Sequence, residues 1–215
     1  MKNEQLIEHL TKSYSGPVKP LALPEKRFLV WASVAFLLVI VQFLGTGDFR
    51  SGWGEQLLAY PRLGLEVLLG FSIWIAAALL AFRASVPDLN NERPASRLLV
   101  PLLGLVFLCL LAISLFAPAM PPTMAGKRHN CYLETILFGV VPAGILFRQV
   151  RRGFVLNPVL TSILVGTAAF LPSAVLMHVA CMYEPVHVLK LHILPAVAAT
   201  AVFAFASAKF IGPYK

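Results

Sequence analysis

Residues 98–119 read LLVPLLGLVFLCLLAISLFAPA, a run with no charged side chain. As a helix it is long enough to cross the roughly 30 Å hydrocarbon layer of a bilayer. Five further apolar runs, at 28–44, 63–82, 132–147, 159–180 and 188–210, come close to the same length. Backbone groups in hydrocarbon must be satisfied within their own segment, and none of these runs alternates as a membrane barrel strand does. The chain reads as all-α: a polytopic membrane protein, a bundle of six transmembrane helices. Its organisation is a short N-terminal segment, 1–27, followed by the six-helix transmembrane domain, 28–215.

Composition agrees. With 58% hydrophobic and 13% charged residues and a mean hydropathy of +0.78, the chain is too apolar for a soluble domain, whose surface needs roughly a quarter charged residues. A formal charge of +8 invites a nucleic-acid reading. The basic residues, however, stand singly or in threes beside apolar runs, as they do in membrane loops. Lipid is the expected surroundings and nucleic acid is discounted.

The same residues set an orientation. Of the eighteen Lys and Arg, the side with both termini holds all but Arg50, Arg62, Lys127, Arg128 and Lys190. The positive-inside rule then places both termini in the cytoplasm of a bacterial inner-membrane protein. His129, Cys131, Cys181, Glu184 and His187 face the periplasm in that arrangement.

Residues 1–27 lack the apolar core and cleavage site of a signal peptide. Within them Leu6, Ile7, Leu10 and Tyr14 fall at helical spacing and form one narrow apolar stripe. So short a helix is marginal alone in water. It needs a partner or a lipid surface, and the GPVKPLALP stretch at 16–24 is a stiff spacer between it and the membrane.

The residues that carry chemistry gather in two places, HNCYLE at 129–134 and MHVACMYEPVHVLKLH at 177–192. Cys131 opens the fourth run and Cys181 closes the fifth, on one side of the membrane, and consecutive antiparallel helices are usually neighbours. A thiol at a helix N-terminus, as Cys131 is, has its thiolate favoured. Thiolate with imidazole suits Cu(I), Zn(II) or Cd(II), which makes His178, His187 and His192 candidate ligands beside the two cysteines. Glu134 and Glu184 are candidate outer carboxylates. A structural disulfide, a metal site and a redox sensor all stay open on these residues. Elsewhere, Glu66 is an ionisable group within a span and functional by default. Cys109 is expected to serve packing. Pro142, Pro172 and Pro195 are expected to kink three successive helices.

Taken together, the amphipathic stub, the Pro17-Val18-Lys19-Pro20-Leu21 stretch, six spans, Cys131 with Pro142, the Arg151-Arg152-Gly153 loop with Pro158, and His178, Cys181 and His192 resemble the NrsF family, the negative regulators of sigma F. The resemblance covers nearly the whole chain. It implies an inner-membrane anti-sigma factor, not an enzyme. Such a protein sequesters an extracytoplasmic-function sigma factor on the cytoplasmic side through Leu6, Ile7, Leu10 and Tyr14, and releases it on heavy-metal or oxidative stress. The family's sensing pair falls on Cys131 and Cys181; no cofactor is required, and the pair can bind a Cu, Zn or Cd ion.

Two rival functions fit these residues less well. A membrane thiol oxidoreductase linked to quinone wants a vicinal pair such as CxxC, which is lacking. A metal transporter wants its ligands near the bilayer midplane, whereas these cluster at one surface.

Overall fold

The computed structural model describes residues 23–47, 49–86 and 94–211, without the side chains of 94–97. The expected partner stripe of Leu6, Ile7, Leu10 and Tyr14 lies outside these residues. Among the described residues seven helices follow one another: α1 Pro24–Thr46, α2 Trp53–Ala59, α3 Pro61–Arg83, α4 Pro94–Phe116, α5 Cys131–Val150, α6 Pro158–Ala180 and α7 Pro185–Ile211. All but the short α2 are long and apolar enough to cross a membrane. Among the described residues the only extended pairing is an isolated antiparallel bridge between Thr123 and Tyr183.

Proline sets several helix starts. Pro24, Pro61, Pro158 and Pro185 each stand in a first turn, where the missing N–H is one of the donors a helix leaves unused anyway. Residues 24–27, expected in the N-terminal segment, are therefore the first turn of α1. Arg27 ties that turn down by donating to the Gln149 carbonyl and, at 3.4 Å, to the Ser85 hydroxyl. At the other extreme α4 stops at Phe116 rather than 119, because Pro118 disfavours the helical conformation at the residue before it.

Helix α6 is the centre of the bundle, packed against α3, α5 and α7. It is buried almost all round, and so shows no amphipathic stripe. Glycines let its neighbours come close: Gly70 of α3 meets Val175, and Gly166 of α6 meets Thr200 of α7. At Gly139 of α5 a Cβ would stand 2.2 Å from Phe170 Cδ1. Small residues at such seams are what membrane helices use to bring backbones together. Trp31 of α1 donates its indole N–H to the Pro142 carbonyl at 3.2 Å. Helices α1 and α4 are peripheral, with Leu29, Leu37, Leu102 and Leu105 pointing outward. Cys109 is on that outward surface too. It is not a packing residue, because α4 touches the bundle mainly along its Phe107 and Leu111 edge.

Candidate functional site

One end of the bundle is closed by the chain crossing over the end of α6. Segment 117–130 is held there by paired backbone bonds between Thr123 and Tyr183, at 2.9 and 3.1 Å, and by Ala119 N–H donating to the Tyr183 hydroxyl at 2.8 Å. Gly126 has φ +74, and a Cβ on it would lie 2.7 Å from the Ala180 carbonyl oxygen. Only glycine passes so close over the helix end in that conformation.

The last carbonyls of α6 have no partners within the helix, and Arg50 supplies them. Its backbone N–H donates to Ala180 O at 3.0 Å, and its Nη1 donates to Cys181 O at 2.7 Å and His178 O at 3.4 Å. The buried guanidinium also donates through Nε to Gln56 Oε1 at 2.7 Å. A cation at a helix C-terminus is favoured by the helix dipole as well. Next to it, Arg128 donates to Glu134 Oε2 at 2.8 Å, Thr46 Oγ1 at 3.0 Å and Gly47 O at 2.8 Å. Glu134 thus braces the segment that delivers Cys131.

These contacts set two thiols side by side. Cys131, the first residue of α5, and Cys181, just after α6, are buried among Val39, Phe43, Phe138 and Met177. His187 Nε2 stands 3.4 Å from both sulfurs. Glu184 positions that histidine, because its carboxylate caps α7 by accepting from Val186 N–H at 3.1 Å and His187 N–H at 2.6 Å. It acts as a helix cap, with its charge at the dipole's positive end.

His192 completes the cluster by an irregularity in α7. Five residues along a regular α-helix turn a side chain about 140° away from its starting direction, which would separate His187 from His192. Leu189–Ile193 is instead a wide π turn, and the two rings meet edge to face with centroids 5.0 Å apart. Pro195 follows directly; it has no N–H, and its ring crowds the carbonyl four residues back, which a widened turn relieves. The donor atoms of Cys131, Cys181, His187 and His192 all lie within 4.8 Å of one another. The thiol held below its ordinary value is Cys181, not the helix-opening Cys131 expected from the sequence. The largest cause is the hydrogen bond from the Cys131 thiol, helped by His192 and the Arg128 backbone N–H and opposed by burial.

His178, expected among the ligands, points elsewhere. Its Nε2 faces Glu66 Oε2 at 3.4 Å. Three residues before Cys181 is nearly one helical turn, so the two side chains share a face but at different depths. Glu66 also accepts from Ser114 Oγ at 2.6 Å, and Arg62 donates to that hydroxyl at 2.8 Å. The carboxylate is thus fully enclosed by α3, α4 and α6. His129 is exposed and outside the cluster. Arg50 and the π turn are the parts sequence reasoning missed. Pro195 was the available signal for the second, and nothing marked the first.

Six helices long and apolar enough to cross a membrane, with two cysteines and two histidines gathered at one end, define a class: a helical protein of membrane-spanning build with a thiol and imidazole cluster as its cap. The family model described as NrsF, negative regulator of sigma F, matches residues 13–211. The chain belongs to that family, whose members act as negative regulators of a sigma factor. No curated protein and no solved structure matches it.

Proposed function

We propose that the protein is an anti-sigma factor of a bacterial inner membrane, both termini cytoplasmic, that holds an extracytoplasmic-function sigma factor and releases it when heavy metal or oxidant reaches Cys131 and Cys181 from the periplasm. The observation that carries this reading is the convergence of two free thiols, fifty residues apart in the chain, on a single nitrogen of His187. A soft ion or an oxidant joining the sulfurs draws the ends of α5 and α6 together. Helix α6, in contact with α3, α5 and α7, carries the displacement inward, with Pro142 and Pro172 as the places where α5 and α6 yield. About 1.4 kcal/mol of differential binding shifts the held and released states tenfold. At the cytoplasmic end the stripe of Leu6, Ile7, Leu10 and Tyr14 fills a groove on the sigma factor, as an amphipathic helix does.

The test is purification of the tagged full chain from membranes of its own host, before and after exposure to Cd(II) or peroxide. A sigma factor in the first eluate and its loss from the second is the expected result. A bound quinone or haem without a sigma factor would select the oxidoreductase reading instead.

A further inference from the structure

We infer that Cys131, Cys181, His187 and His192 form one closed, four-coordinate site for a tetrahedral divalent ion of the Zn(II) or Cd(II) class. This rests on the sensing reading above and gives its ligand set. Two thiolates and two imidazoles are the donors that tetrahedral Zn(II) takes in closed sites. With Zn–S near 2.3 Å and Zn–N near 2.0–2.1 Å, a tetrahedral S···N edge comes to about 3.5 Å and an S···S edge to about 3.8 Å. His187 Nε2 already stands at 3.4 Å from each sulfur, and no donor atom is more than 4.8 Å from another. The four groups are therefore set around one centre and need only a small contraction to close on an ion.

The second observation is His192. Its ring is fully buried, and neither nitrogen meets a partner at ordinary hydrogen-bond geometry, the polar group it interacts with being the Cys181 thiol of the same cluster. A buried imidazole in that state loses free energy unless something is bound to it. The π turn spends a regular helical hydrogen-bonding pattern to bring the ring to the sulfurs, and such turns concentrate at functional sites. Two thiolates balance the charge of a divalent ion, which suits the apolar surroundings of Val39, Phe43 and Met177. Of the four ligands His187 is the one that is not fully buried. When the ion binds, the starts of α5 and α7 and the end of α6 are tied to one point.

The experiment uses the full chain in detergent, reduced and stripped of metal by a chelator. Co(II) is the spectroscopic probe, and Zn(II) and Cd(II) are competitors. The expected result is one Co(II) per chain, with sulfur-to-metal charge transfer and the strong visible bands of a tetrahedral ion, displaced by Zn(II) or Cd(II). His192→Ala and His187→Ala should each weaken binding by at least about tenfold. H178A and C109S should leave it unchanged. His187→Ala alters a half-exposed side chain and keeps the comparison usable should His192→Ala fail to fold. Absence of a tetrahedral spectrum in the reduced wild type overturns the site, as does binding indifferent to His187→Ala. A chain that binds Co(II) as expected while its sigma factor stays bound under Cd(II) keeps this site and sinks the signalling reading. Release that depends on the cysteines without tetrahedral binding does the reverse.

Discussion

Replacing Arg50 with Met removes the cation that closes the end of α6 while keeping an unbranched side chain of similar reach. The bond from Nη1 to Cys181 O, at 2.7 Å, joins a charged donor to a buried carbonyl, and such bonds contribute about 1.5–3 kcal/mol. The His178 carbonyl at 3.4 Å is at the limit of a hydrogen bond and adds less than about 1 kcal/mol. Gln56 is half-buried and exchanges its lost bond for water. Relief from burying a guanidinium offsets part of the loss, leaving a destabilisation of about 2–3 kcal/mol. The backbone bond from Arg50 to Ala180 survives the substitution, so the segment stays in place while the α6 carbonyls lose their donor. For a chain of this size that corresponds to a fall of about 4–12 °C in the unfolding midpoint. The assay is thermal unfolding in detergent, followed by helical circular dichroism, for wild type, Arg50→Met and Arg50→Lys. Lys keeps the charge but not the forked geometry and should fall between the two. A shift under about 2 °C for Arg50→Met, or a Lys variant no better than Met, refutes the role given to this residue.

Three further outcomes follow from the packing and the charges. Gly139→Val forces a side chain into Phe170 and the Ala169 carbonyl, an overpacking of about 1–3 kcal/mol, and the same unfolding assay should register it; an unchanged midpoint would mean that α5 and α6 do not meet at that seam. An export-dependent phosphatase fused after Glu184 should be active and one fused after Arg152 inactive, given the excess of Lys and Arg on the latter side; the opposite pattern inverts the orientation. Leu6→Asp with Leu10→Asp should free the sigma factor while the protein stays in the membrane at its normal level, and continued repression by that variant would place the main contact elsewhere.

The bundle was legible because hydrocarbon imposes a simple rule on length and polarity. Each of the six expected spans corresponds to a helix, with ends moved by a few residues where prolines such as Pro24, Pro118 and Pro185 shift the boundary. The meeting of Cys131 and Cys181 was legible for the same reason, since it needs only that antiparallel neighbours touch at a common end. His192 was named, but its route to the site was not: at helical spacing it points away from His187, and only a π turn returns it. His178 shows the converse error, because spacing alone cannot tell a ring aimed at Cys181 from one aimed at Glu66 on another helix. Arg50 lies in a loop with no pattern around it. Its place depends on where the end of α6 falls in space, which no local feature of residues 47–52 records.

Cys131 and Cys181 are proposed to act as one sensing unit controlling a sigma factor. The most direct measurement is output from a promoter dependent on that sigma factor, with and without Cd(II), in Cys131→Ser, Cys181→Ser and the double variant, alongside the amount of protein in the membrane. Each single variant should keep repression and lose induction. The double variant should be no worse than either, because members of one unit do not add. Normal induction in either single variant, at normal protein level, contradicts it.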